Sequence, residues 1–401
     1  MKRNIMLIVA AAALCVACSN RQDIITENVE NAKVQIGALL EASEAGDTIR
    51  IPSTYKDGVI DFVPKDDWVS GFFAGTLWYM YELTGDEFWA EKAQKHTENL
   101  AEIQYLQWHH DVGFMVYDSY GNGWRLKHIK GYDKVLENTA KSLSTRFRPK
   151  AGILQSWNVI NNGWQSTRGW KCPVIIDNMM NLELLFKVSE MTGDDTYRNI
   201  AISHADKTLE NHYRDDYSTY HVVDYDDETG LVRRKCTAQG YSDDSAWARG
   251  QAWSIYGFTV AYRFTHDPKY LLRAENVANY LFTHPRMPED LVPYWDFDDP
   301  KIPNTYRDVS SAAVIASALY ELNYITKNAD YKAKADKIIE SLSTPAYRAE
   351  QGTNGGFIFM HSVGSIPHGS NIDVPLNYAD YYFLEALIRK GKLEKGLPPV
   401  E

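Results

Sequence analysis

The sequence predicts an all-α toroid of antiparallel helix hairpins, an (α/α)6 barrel, and three observations carry that prediction. The first is a repeat. LTGDEFWAEKAQKHTENL (83–100), MTGDDTYRNIAISHADKTLENH (191–212), FTHDPKYLLRAENVANYLFTH (264–284) and ITKNADYKAKADKIIESL (325–342) share an apolar residue, Thr, a turn residue, an aromatic and alanines at helical spacing. Self-similarity of this kind marks supersecondary units that stack on one another. The second is the apolar, Gly/Ala-rich segment before each turn: GFFAGTLWYMYEL, IIDNMMNLELLFKVSEM, ARGQAWSIYGFTVAYRF and SSAAVIASALYELNYI. Apolar positions recur there at three and four residues, so these are inner helices buried nearly all round. The third is length: alternating inner and outer helices over about 380 residues make roughly six hairpins at ordinary helix lengths.

Taken in order, the chain opens on MKRNIMLIVAAAALCVAC, with Lys2 and Arg3 ahead of an apolar run from Ile5 to Leu14. This reads as a secretory signal, too short for an ordinary membrane span. Its end, Leu14-Cys15-Val16-Ala17-Cys18, resembles a bacterial lipobox, with Cys15 where Leu is usual; a plain cleaved signal is the competing reading. The expected organisation is a signal peptide over 1–17, a tether over 18–29 and one (α/α)6 catalytic domain over 30–395. Such a chain is an exported bacterial lipoprotein of the periplasm or outer membrane, touching a membrane only through a lipid on Cys18. The remaining cysteines, Cys172 and Cys236, cannot make a disulfide framework and lack zinc spacing.

In each repeat the turn residue takes a left-handed conformation at a helix end and the following Asp or Asn caps the next helix. KGYDKVLENTAKSL (130–143) reads as a degenerate copy, and YADYYFLEALIRK, without a following partner, is expected to close against the beginning. Because the short turns share one end of the toroid, the longer aromatic-rich connections fall on the other. These are LQWHHDVGFMVYDSYGNGW, GILQSWNVINNGWQSTRGWKCP, HYRDDYSTYHVVDYDDETG, KCTAQGYSDDSAWARGQ, LVPYWDFDDP and the 351–377 loop. Loops on a rigid scaffold are where binding groups concentrate. Short strand pairs are expected within them.

A net charge of −11 excludes non-specific attraction to nucleic acid or an anionic membrane. Eleven Trp and 26 Tyr point instead to stacking on rings, sugars above all. Asp177 stands in an apolar run, VIIDNMMN, and Asp111 in WHHDVGFM, 66 residues earlier. Burial would keep Asp177 protonated near neutral pH, and two carboxylates across one cavity are the equipment of glycosidic chemistry. For each aspartate the bland alternative is a helix cap. Arg249 and Trp253, four apart on one helix face with Trp247 near its start, suit a carboxylate on a flat ring; pairing of Arg249 to Asp243 or Asp244 is the alternative. His221 is either loop chemistry or a structural histidine. Trp68, Trp157 and Trp164 are stacking walls or core.

Together, DDWVSGFFAG, HHDVGF, PVIIDNMMNLELL, AQGYSDDSAWARGQAWSIYGF, DVSSAAVIASAL and IDVPLNYADYYFLEAL resemble, in this order, the unsaturated glucuronyl hydrolases of glycoside hydrolase family 88, over about residues 30–390. The resemblance implies an (α/α)6 barrel and removal of a 4,5-unsaturated uronic acid from lyase-generated glycosaminoglycan oligosaccharides. It matches Asp177 to the general acid/base and Asp111 to a second essential aspartate, expected to stay ionised. It matches His221, Gln239, Trp247, Arg249 and Trp253 to the sugar-binding set, and His110 and Trp68 more loosely. Arg249 is expected to orient the uronate carboxylate. Ser365, with Ser362 and His368, lies in a loop (361–375) where family members contact the second sugar. No metal or organic cofactor is implied. The alternatives are an unsaturated rhamnogalacturonyl hydrolase acting on pectin fragments and a glycan-binding lipoprotein without catalysis.

Overall fold

The computed structural model describes residues 23–400; the expected signal peptide, Cys18 and residues up to 22 lie outside them. The chain begins with helix α1 (Ile24–Glu44) and hairpin β1 (Ile51–Lys56)–β2 (Val59–Val63). Five hairpin units and a last inner helix follow around the ring. They comprise α2 (Ser70–Thr84) with α3 (Glu87–Glu98), then α4 (Val112–Val116) and α5 (Asn122–Lys127) with α6 (Tyr132–Ser144). Next come α7 (Leu182–Thr192) with α8 (Asp195–Asn211), α9 (Ala248–Thr265) with α10 (Pro268–Thr283), and α11 (Val309–Thr326) with α12 (Ala329–Leu342). The last inner helix is α13 (Asn377–Glu394). It packs on both α11 and α2, so the inner ring closes as the unpartnered final segment leads one to expect. The Tyr79 hydroxyl of α2 meets Tyr381 of α13 at 3.0 Å and donates to Glu385 at 3.0 Å across the seam.

The outer partner at the seam is α1. Asn28 donates to Ser343 just past α12, and Glu44 accepts from Lys92 and Lys95 of α3. The expected tether over 18–29 is therefore too long. The chain is helical from Ile24, with Asn28 and Val29 already buried, and hydrogen bonds tie this helix to Ser343 on one side and to α3 on the other.

The repeated turn has a simple chemistry. Helices α2, α7, α9 and α11 end on Gly85, Gly193, His266 and Lys327, all left-handed at φ 68°, 73°, 55° and 60°. The following Asp86, Asp194, Asp267 and Asn328 each accept the backbone N–H two residues on and start the next helix. The preceding Thr hydroxyls donate to the carbonyl four residues back and accept the N–H of that capping residue. One threonine thus ties the end of one helix to the start of the next. The degenerate copy lacks this device, and α6 starts instead after Gly131 at φ 91°.

One connection expected from sequence proves to be structure. Residues 112–127, which take in most of the stretch LQWHHDVGFMVYDSYGNGW and run three residues past it, form the second inner helix, with a π turn over Tyr117–Gly121 between α4 and α5. Its glycines hide the helical signal because glycine is a poor helix former. They are there for space. A Cβ on Gly113 would fall 2.4 Å from Asn181 Oδ1, and one on Gly123 would fall 2.9 Å from the Trp78 ring. Opposite them, a Cβ on Gly71 of α2 would lie 2.0 Å from the Met115 carbonyl oxygen. We expect Gly71→Ala to lower stability by about 1–3 kcal/mol, the range for overpacking a core. A urea midpoint equal to that of the parent protein would contradict this contact.

Candidate active site

The site lies where the inner helices begin, opposite the short turns. A three-stranded antiparallel sheet, β3 (Cys172–Ile175), β4 (Val222–Tyr225) and β5 (Val232–Cys236), fills the long connections there and fixes the register. Ile175 pairs with Val222, and the Ile176 N–H continues the ladder to the His221 carbonyl at 3.0 Å. The strands end together. Asp177, His221 and, two residues past β5, the Ala238–Gln239 backbone are brought side by side.

Asp177 does not cap a helix. It stands in the first turn of a 3₁₀ segment, Ile176–Asn181, whose cap position is Ile175, and its Oδ2 has no hydrogen-bond partner in the protein. Asp111 occupies the cap position of α4 but makes no capping hydrogen bond. Instead it accepts from Asn181 Nδ2 at 3.3 Å, with His110 Nε2 at 3.1 Å. Both carboxylates line one cavity of about 90 Å³ together with Trp68, Phe72, Phe114, Trp157, Met180, Gln239, Arg249, Trp253 and Tyr382. The sequence reading passed over Asn181. Its Oδ1 accepts the Phe114 N–H at 3.1 Å while its amide holds Asp111, so it locks the two inner helices in register around the acid pair. Its partners Asp111 and Phe114 lie 70 and 67 residues away in sequence, so spacing gives no signal for it.

Burial raises Asp177 to about 6, opposed first by the charge of Arg249. Burial, and then the charge of Asp177, push Asp111 well above the ordinary carboxylate range. Burial and the charge of Asp177 both work against the ionised form of Asp111, with the Asn181 amide hydrogen bond opposing them. Two such groups titrate as a pair. His221 is buried and held well below its usual value. Its Nδ1 accepts the backbone N–H of Ala238 at 3.0 Å and of Gln239 at 3.1 Å. Nδ1 is therefore unprotonated and the ring hydrogen sits on Nε2, which lies 3.6 Å from Asp177 Oδ2.

The aromatic and basic residues divide into those that reach the cavity and those that support it. Trp68 and Trp253 form walls, and the Trp253 indole N–H favours the charged form of Asp177. Trp247 does not line the cavity. It is buried with His221 against one part of its ring at 4.7 Å and the Arg249 guanidinium over it at 4.6 Å. Arg249 is not paired to Asp243 or Asp244. Its Nη1 donates to Asp308 at 3.2 Å and to the Val363 carbonyl, and its Nη2 donates to Gln239 Oε1 at 3.1 Å and the Gly364 carbonyl at 2.6 Å. The terminal nitrogens are thus committed inside the protein, where the resemblance led one to expect Arg249 to orient the uronate carboxylate. His110 is buried beside Asp111 outside the cavity wall. Ser365 also stands apart from the cavity: it closes a hairpin strand (Ser362–Ser365) and bonds His368 Nδ1 at 2.8 Å.

His109, His110 and Asp111 are the three donors among the described residues close enough to share a metal ion, within 4.8 Å of one another. His109 Nδ1, however, already accepts the Asp111 N–H at 3.1 Å. A larger cavity, about 540 Å³, opens at the opposite end of the barrel among ion-paired residues such as Glu183, Arg263, Glu385 and Arg389.

A barrel of paired helices that holds two raised carboxylates among indole walls at the entrances of its inner helices defines a carbohydrate-active hydrolase. The chain belongs to Glycosyl Hydrolase Family 88, whose model matches residues 48–385. It is 45% identical over 336 residues to an unsaturated glucuronyl hydrolase of Formosa agariphila, covering 84% of this chain and 82% of that one. It is 32% identical over 348 residues to an unsaturated chondroitin disaccharide hydrolase of Streptococcus pyogenes serotype M1, covering 84% of each. A solved unsaturated glucuronyl hydrolase specific for heparin superposes with a TM-score of 0.88 at 43% identity, over 93% of this chain and 98% of that one.

Two outcomes test this geometry. Asp177 is raised from 3.8 to about 6 in the folded chain, so the folded state holds a proton that the unfolded state has released, and stability is lost as pH rises through that window. Asp177→Asn removes that charge; its melting temperature relative to the parent should be higher at about pH 8 than at about pH 4. An unchanged difference between the two pH values would show that Asp177 is not buried as described. Arg249→Lys keeps the charge but cannot serve four acceptors, and we expect kcat/KM to fall at least about tenfold, in line with loss of one to two buried charged hydrogen bonds. Steady-state kinetics with parental values would remove Arg249 from its structural role.

Proposed function

We propose that the chain removes the 4,5-unsaturated uronic acid from the non-reducing end of lyase-generated glycosaminoglycan oligosaccharides, by hydrating the vinyl ether of that ring. The observation that carries this reading is Asp177, raised to about 6 and facing Asp111 across an aromatic cavity. A general acid works best with a pKa near the working pH. The names of the relatives, glucuronyl and chondroitin disaccharide hydrolases, support the substrate class.

In this mechanism the protonated Asp177 delivers its proton to C4 of the ring double bond, and the electron pair of that bond forms the new C–H bond. Positive charge develops at C5 and is shared with the ring oxygen. Asp177, now a carboxylate, takes a proton from the water that attacks C5, which regenerates the acid. The product is a hemiketal; it opens and releases the neighbouring sugar. His221, neutral with its hydrogen on Nε2, is placed to donate to the Asp177 carboxylate or to a sugar oxygen as the proton leaves. Asp111, whose charged form burial disfavours, stands at the cavity to hydrogen-bond a ring hydroxyl, and the Gln239 amide and Trp253 Nε1 offer further partners. Arg249 acts from behind, holding Gln239 and tempering Asp177. Several inner helices begin at the cavity, and their N-terminal ends favour an anionic ring there despite the acidic surface.

Lipid attachment at Cys18, after a signal peptide over 1–17, is part of the same proposal; such an anchor would tether the barrel to an exported membrane face. The match to a lipobox supports it.

Purified residues 19–401 should bleach the ultraviolet absorbance of the conjugated 4,5-ene in unsaturated chondroitin, hyaluronan or heparin disaccharides. The rate should fall as pH rises above about 6, following Asp177, and Asp177→Asn should lower kcat by about 10³-fold, the range for loss of a general acid. A folded parent that bleaches none of these but does bleach unsaturated rhamnogalacturonan fragments would move the activity to pectin.

A further inference from the structure

The cavity at the opposite end of the barrel, of about 540 Å³, is several times larger than the catalytic one and takes no part in the chemistry proposed above. Most of its charges are committed to one another. Glu183 pairs with Arg263 and Glu385 with Arg389, and Glu82 and Glu190 have basic partners as well. Asp118 is the exception: among the described residues it alone of the acids lining this cavity makes no ion pair. It is 7% exposed, and its Oδ2 is buried without a hydrogen bond. The Tyr381 hydroxyl is near enough to favour its charge, but the hydrogens there are already placed. Tyr79 gives its only one to Glu385 at 3.0 Å, so the 3.0 Å contact between the Tyr79 and Tyr381 hydroxyls uses the hydrogen of Tyr381. The Asn122 amide goes to the Asp118 carbonyl and to Tyr381. Asp118 also stands in the π turn Tyr117–Gly121, a rare local geometry that recurs at functional positions.

We infer that this cavity is a second ligand site, and that it takes a small hydroxylated ammonium compound whose cationic nitrogen pairs with Asp118. The inference does not depend on the activity proposed above. A buried carboxyl without a donor or a counter-charge is costly, and an ammonium group supplies both at once. The surroundings favour the same ligand. Burial, with Glu385 and Glu183 close by, works against the charge of Asp118, so a bound cation is welcome there and a further anion is not. Tyr79, Tyr117, Tyr256 and Tyr381 line the same space, and aromatic faces attract a cation. A metal ion is a poorer match. It would need several ligand atoms at once, and among the described residues the one group of three donors close enough to share an ion is His109, His110 and Asp111, at the catalytic end. An organic ammonium needs a single carboxylate, and its hydroxyls find phenols and the side chain of Asn122 on the wall around it.

The test is a calorimetric titration of the parent protein with glucosamine, at a pH where its amine is protonated, and with N-acetylglucosamine, which keeps the ring and lacks the charge. We expect saturable binding of glucosamine and none of N-acetylglucosamine. Two variants locate the binding. Asp118→Asn removes the charge and keeps the shape, and Lys187→Trp fills the partly exposed wall of the same cavity without touching the buried network. Each should weaken glucosamine by at least about tenfold, the scale of one charge-assisted hydrogen bond. Neither residue reaches the catalytic cavity, so kcat/KM for an unsaturated disaccharide should stay at the parental value. Should Asp118→Asn fail to fold, Lys187→Trp decides alone. Absence of saturable glucosamine binding, equal binding of N-acetylglucosamine, or an unchanged Kd in the folded variants would overturn the site. A fall in turnover that tracks the loss of binding would place glucosamine in the catalytic cavity and overturn it as well.

Discussion

The buried guanidinium of Arg249 is the constraint on which the catalytic end of this barrel depends. It joins the start of α9, the start of α11 through Asp308, the backbone of Val363 and Gly364, and the side chain of Gln239. A charge taken out of water is tolerated only when its donors are satisfied, and here that requirement fixes four distant parts of the chain at once. Asp308 completes the knot. It accepts from Ser310 and Ser311 and from the Val363 N–H, so the anion that pairs with Arg249 also caps α11 and holds the same hairpin. The positive charge has a second effect. It opposes the burial of Asp177 and brings that acid to about 6, a value at which it can both give and recover a proton.

Around this knot the site is a set of carefully assigned hydrogens. His221 is made an acceptor at Nδ1 by two backbone amides, which leaves its one hydrogen facing Asp177. Asn181 has its oxygen committed to the Phe114 N–H, which leaves its amide for Asp111 and Asn178. In both cases the backbone decides the protonation or orientation of the side chain. The aromatic residues follow the same division: Trp68, Trp157 and Trp253 face the cavity, while Trp247 stands behind His221 and Arg249 and keeps both in place.

The scaffold achieves this with inexpensive local devices. Each Thr–turn–Asx junction reverses the chain within a few residues at the far end of the barrel. Long connections are then free to fill the near end, where one sheet of three strands aligns Asp177, His221 and Gln239. Glycines at 71, 113 and 123 let inner helices approach so closely that any side chain there would strike a neighbour. They bring Asp111 and Asp177 to one cavity.

By itself, the sequence determined the ring of helix pairs, because the repeat, its Asx caps and the period of its apolar positions are local properties that each segment carries alone. It also drew attention to Asp111 and Asp177, since a carboxylate flanked by apolar residues is visible without coordinates, whereas His221 reads as either loop chemistry or a structural histidine. Tertiary structure alone decided the rest. The helix at 112–127 is poor by propensity and is made by packing; α1 reaches back to Ile24, where Asn28 ties it to Ser343 just past α12. The roles of Arg249, Trp247 and Asn181 were likewise out of reach of spacing arguments. Arg249 lies four residues from Trp253 but finds its acceptors at 239, 308, 363 and 364, and partners so far apart in sequence meet only when the barrel closes.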